Sequence, residues 1–144
     1  MATETFAGSV DCLVFAFPEG AELDAGLHQV LGCVAAGTIE LLDLEVIGRN
    51  ADGGAVRRSI EDLAGSADPV LQAFVGAESG VLDADDLAQI AGLLEAGQFA
   101  LAIVYENRSL AAAADAWTKV GGTELLSGGV DINDLAQAVD GGTD

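Results

Sequence analysis

The feature that most restricts the fold is a near-repeat. LVFAFPE, a helical stretch and AAGTIELL in the first half are echoed by ALAIVYEN, a second helical stretch and VGGTELL in the second. A short apolar run closed by Pro or by a polar pair reads as a core strand, and strand, helix, strand in succession reads as a βαβ unit. Two such units sharing one sheet predict an α+β, ferredoxin-like βαββαβ fold, an antiparallel sheet with its helices mostly on one face. The units span about 11–48 and 98–128, residues 49–97 are an insertion carrying a hairpin strand and helices, and a helix at 131–139 is appended to a single domain of 144 residues. The inserted helices or a second subunit must cover the other face of the sheet.

The local signals fill in this outline. Residues 12–17 form strand one, ended by Pro18, which lacks an amide donor. Leu23, Leu27, Val30, Leu31 and Val34 recur at helical spacing over residues 21–36, and Gly37 supplies the C-terminal cap. Residues 38–47 alternate apolar and acidic positions, with Ile39, Leu41, Leu44 and Val46 inward after a slip near Leu42 and Asp43, the signature of a bulge. Asn50, Asp52, Gly53 and Gly54 make a hairpin turn into a return strand at 55–60. Asp68 and Pro69 start a short helix that turns Leu71, Phe74 and Val75 inward. Asp83 caps a helix at 83–96, with Asp86 at its third position and Leu82 stapled onto Leu87. A strand at 98–105, an Ala-rich helix at 109–120 with Leu110, Ala113, Trp117 and Val120 on one stripe, and a short strand at 123–126 follow. The last helix repeats the capping device with Asp131, Asp134, Val130 and Leu135.

Charge excludes whole classes of partner. Asp and Glu number 24 against 5 Lys and Arg, a net charge of −19, so a nucleic-acid backbone or an anionic membrane is repelled. Half of the residues, 51%, are hydrophobic, which is the reverse of a disordered composition. The apolar runs are too short to cross a bilayer, and the N-terminus shows no basic region followed by an apolar core, which predicts a cytoplasmic protein. Cys12 and Cys33 lie among apolar residues without a CxxC or His companion, and read as buried, inert thiols; strand and returning helix bring them near one another, but a reducing compartment argues against a disulfide.

The order of several short motifs resembles a family of small, acidic proteins of unknown function from high-GC bacteria. These are Phe17 and Pro18 closing strand one, Gly37, Thr38 and Ile39 leading to Leu42, Asp43 and Leu44, the turn Asn50, Ala51, Asp52, Gly53, and Glu106 and Asn107 closing the third core strand. The likeness covers nearly the whole chain. The family carries an aromatic residue, usually Trp, before the Glu-Asn pair, here Tyr105; Arg108 and Ser109 depart from the aromatic expected after it. The resemblance implies a ferredoxin-like fold and no activity, because that fold hosts many functions.

The chemical inventory is sparse. The acidic clusters around Asp83 and Asp131 lack the alternating ligands and glycine of a calcium loop and read as helix caps, so no metal or other cofactor is expected. His28 lies four residues after Asp24 and can pair with it; a pocket built by Tyr105, Glu106 and Trp117, with His28 as a base, is the sharper alternative. Asn107 or Ser109 read as the cap of the following helix, with Glu106 supporting its dipole. Arg49, Arg57 and Arg58, three of the five cations, flank the hairpin turn; either they pair with carboxylates such as Glu45 or Glu61, or they dock on an acidic partner surface. The sequence therefore predicts a non-enzymatic interaction or regulatory module, a homo-oligomer and most simply a dimer, with a small ligand-binding protein or enzyme as the alternative.

Overall fold

In the computed structural model, residues 8–63 and 69–126 are described. They form β1 (Val10–Pro18), α1 (Asp24–Ala35), β2 (Ile39–Arg49), β3 (Ala55–Arg58), a 3-10 turn (Ile60–Asp62), α2 (Pro69–Gln72), α3 (Ala84–Gly92), β4 (Gln98–Asn107) and α4 (Ala111–Lys119). The sheet order is β1-β4-β2-β3, with every neighbouring pair antiparallel. Strands β1 and β2 therefore run parallel to one another with β4 inserted between them, and α1 is the crossover. This is the split βαβ portion of the expected architecture. The second unit differs: residues 123–126 carry no strand, and Leu125 and Leu126 are both 89% exposed. Without that strand β1 is left at the sheet edge.

The predicted bulge is present, as a register shift between Leu41 and Asp43. Its consequence is a change in which residues share a face. Leu44 and Val46 join Phe99, Leu101 and Ile103 under Leu23 and Leu27 of α1, with Ile60, Leu63 and Phe74 completing this core. Asp43, Glu45 and Ile47 turn to the opposite face, where Leu87, Ile90, Ala91 and Leu94 pack on Ile47, Ala100 and Ala102. Helices thus lie on both faces and not mostly on one, and of the two covers expected for the second face the structure has the inserted helix α3. Val34 and Val75, read as inward, are exposed at 38% and 45%, because among the described residues no layer lies outside α1 or the chain after α2.

The α3 entrance follows the reading closely. Asp83 accepts from the Asp86 amide at 2.9 Å and Asp86 accepts from the Asp83 amide at 3.0 Å, a reciprocal capping box. Leu82 and Leu87 both pack in the second core. The helix ends at Gly92, before the 83–96 limit, and Gly97 (φ +79°) makes the turn into β4. Asp83→Ala is expected to lower the urea midpoint of unfolding, because the Asp86 amide loses its side-chain acceptor. The Asp68 cap and the 131–139 helix with its own cap and staple lie outside the described residues.

Candidate functional site

The residues singled out for a pocket do not converge on one. Tyr105 and Glu106 are neighbours near the end of β4; Tyr105 packs partly against the α1-side core, while Glu106 pairs with Arg108 at 3.0 Å and accepts the Gly8 amide at 2.7 Å. Trp117 lies on α4 and is 62% exposed, and His28 is exposed on α1. Among the described residues no ion pair joins His28 to Asp24. Asn107 does not cap α4: its Oδ1 accepts from the Ser109 amide and hydroxyl at 2.9 and 2.7 Å, a local turn that leaves Leu110 at the cap position. The thiols also differ from expectation. Cys12 and Cys33 are free and exposed, because Cys12 lies on an edge strand without a covering layer and Cys33 on the outer part of α1.

The arginines are engaged within the chain. Arg57 Nε meets Glu45 Oε1 at 3.2 Å and Arg57 also donates to the Leu82 carbonyl. Arg58 pairs with Glu19 at 2.9 Å and stacks its guanidinium 5.6 Å from the Phe99 ring centroid. Arg49 donates to the Leu94 carbonyl at 2.6 Å. Gly48 leaves room for Arg58 to lie across β2, since a Cβ there would come within 2.7 Å of its Nε. Arg49 and Arg58 border a polar cleft of about 440 Å³, but Glu19 and Glu95 border it too, so its formal charge balances and it offers no field for an anion.

Sequence reasoning missed a pair of buried carboxylates. Asp43 and Glu45 are 0% and 1% exposed. Asp43 accepts the Ser79 amide at 2.8 Å and the Leu82 amide at 3.0 Å, while the Ser79 hydroxyl bonds to the Leu42 carbonyl, so the bulge of β2 clasps the loop leading into α3. Burial alone would raise the Asp43 pKa, but those amides, together with Ser79 and the neighbouring Glu45 carboxyl, hold it below the ordinary carboxylate value. Glu45 goes the other way: burial first, and then Asp43, push it up against the pull of Arg57. Its Oε2 is buried without a hydrogen-bond partner. The available signal was the bulge itself, which puts these acids on the face of Ile47. Among the described residues no cluster of three or more His, Cys, Asp or Glu could hold a metal ion.

What remains unpartnered is β1. Val10, Leu13, Val14 and Phe15 are 58%, 48%, 40% and 55% exposed, so among the described residues neither face of this strand is fully covered before Phe17. On the α1 side, Leu13, Phe15 and Phe17 floor an open apolar groove of about 270 Å³ whose wall is Leu27 and Val30. Helix α4 is likewise bare, with Leu110 and Val120 at 60% and 83% exposure. No family model, curated protein or solved structure matches this chain. The geometry of β1 is thus the most informative feature of the surface. No helix among the described residues is long and apolar enough to cross a membrane.

Proposed function

We propose that this chain is a homodimeric interaction module without catalytic chemistry of its own. One observation carries the reading: β1 exposes an almost uncharged apolar strip, while β2 and β4 are buried between helices. Contiguous apolar surface of this kind marks an association site, and in a chain of net charge −19 a neutral strip is where two copies can approach with least repulsion. The contact belongs at β1 rather than at Arg49, Arg57 and Arg58, whose guanidiniums already have partners. A ferredoxin-like completion, in which residues 123–126 pair with β1 of their own chain, is the second reading, favoured by the exposure of Leu125 and Leu126. A small apolar ligand in the β1 groove, bordered from α1 by Glu22, is the third.

Light-scattering mass across protein concentrations separates these. The dimer reading predicts twice the chain mass, retained or tightened as ionic strength rises, because salt screens the acidic repulsion and leaves apolar burial in place. A single-chain mass at every concentration defeats it.

A further inference from the structure

We propose that the dimer, if the reading above holds, forms by antiparallel pairing of β1 with β1 of a second copy, giving a continuous eight-stranded sheet with Leu13 at the twofold axis. The two edges of the sheet are not alike. At one edge, β3 is four residues long, carries Arg57 and Arg58, and has α3 packed beside it. Short length, charge and cover are the devices by which sheets prevent edge pairing. At the other edge, β1 has nine residues, pairs with β4 over its whole length without a bulge, and holds one charge, Asp11. Among the described residues, only Asp11 and the terminal Pro18 stand against pairing at this edge.

The backbone fixes which groups are free. The Asn107 amide donates to the Ser9 carbonyl and the Glu19 amide to the Gly97 carbonyl, so the odd-numbered residues of this strand direct their polar groups at β4. Alternation then turns the amides and carbonyls of Val10, Cys12, Val14 and Ala16 outward. A twofold pairing must match these residues with one another, and two side chains choose the register. Centring on Val14 would set Val10 opposite Pro18, which has no amide to give. Centring on Cys12 would bring the two Asp11 carboxylates to diagonal positions, a like-charge contact. Centring on Leu13 avoids both: Val10 faces Ala16, Cys12 faces Val14, Leu13 faces its own copy, and Asp11 faces Phe15. All four outward residues are then paired, and the apolar grooves of the two copies join into one trough. A second copy is the occupant because the strand is complementary to itself in this register.

The test places a cysteine at Leu13 in a chain carrying Cys12→Ser and Cys33→Ser. At a non-hydrogen-bonded antiparallel position the two Cα atoms lie within disulfide range, so Leu13→Cys should cross-link into a covalent dimer on mild oxidation. Val14→Cys in the same background should not, its copies being diagonal. In parallel, Val14→Pro removes an outward amide that β4 does not use; it should leave circular dichroism unchanged and halve the light-scattering mass. A wild-type mass of two chains that survives Val14→Pro, without a Leu13→Cys cross-link, overturns this interface and leaves the dimer standing. A single-chain wild-type mass overturns both, and hydrogen-exchange protection of the β1 amides in that monomer would assign the edge to residues 123–126 instead.

Discussion

Asp43→Ala should lower the unfolding free energy by about 3 kcal/mol, one of the largest effects expected of any single polar substitution in this chain. Hydrogen bonds to a charged acceptor contribute about 1.5–3 kcal/mol each, and Asp43 accepts two backbone amides. The lower end of that sum applies because Ser79 is exposed and its amide can recover a bond to water. Asp43→Asn should cost about 2 kcal/mol, since one carbonyl oxygen still accepts while the amide nitrogen is set against the other N–H. The pH dependence has a definite sign. Asp43 has a lowered pKa in the fold, so it contributes stability that is present above its unfolded value, about pH 4, and is lost as pH falls through the folded value. Urea unfolding at several pH values checks this: the gap between wild type and Asp43→Ala should narrow in acid. A gap that stays constant would mean that the side chain acts by filling space and not by its charge.

The clasp also explains which parts of the molecule could be read in advance. Periodicity located β1, α1, β2, β3, β4 and α4, and the break in alternation at Leu42 and Asp43 marked the bulge, because these are local properties of the chain. That the second face needs a cover was legible in the apolar content, but which residues meet the acids of β2 is not local. The loop of residues 77–82 and α3 lie over that face, and Asp43 becomes a structural acceptor. The same limit applies to α4. Its stripe of Leu110, Trp117 and Val120 is a correct helical pattern that stays exposed among the described residues, where 123–126 do not form the strand expected after it. Residues 123–126 match the earlier GTIELL motif in sequence, but that motif is held in β2 by pairing with both β4 and, further along, β3. The second copy of the motif has neither neighbour.

For the candidate site, the arginines were found by their segregation around the hairpin, and the choice between internal pairing and docking turned on distances that sequence does not contain. Arg57 reaches Glu45, one of the two carboxylates named for it, whereas Arg58 reaches back to Glu19 at the start of the β1–α1 connection. The exposed edge of β1 was hidden for a different reason. Its residues are those of a core strand, and only the sheet order reveals that β4 is its one neighbour among the described residues.

Glu45 and Arg57 provide the second large effect, and it is conditional on pH. Glu45 has a raised pKa in the fold, so the native state retains a proton that the unfolded chain releases above about pH 4.3. Its contribution to stability is fully present below that value and declines as pH rises through the folded pKa. Glu45→Gln should remove this slope and raise stability above the folded pKa of Glu45, since a carboxylate buried beside Asp43 is replaced by a neutral group of the same shape while the half-exposed Arg57 keeps its contact with water and with the Leu82 carbonyl. Arg57→Met should act in the opposite sense. With the cation gone, ionised Glu45 is buried beside Asp43 without compensation, and the expected loss is about 2 kcal/mol near pH 8, below the usual cost of breaking a buried pair because Arg57 is half exposed. Well below pH 4.3 Glu45 is protonated in both states and the same substitution should cost little. In the double variant the loss at high pH should vanish, so the coupling between the two sites should itself depend on pH. An Arg57→Met cost equal at both pH values, or unchanged by Glu45→Gln, would assign Arg57 to its hydrogen bond with the Leu82 carbonyl and the packing of its stem, and Glu45 would then be a carboxyl that stays protonated across the neutral range.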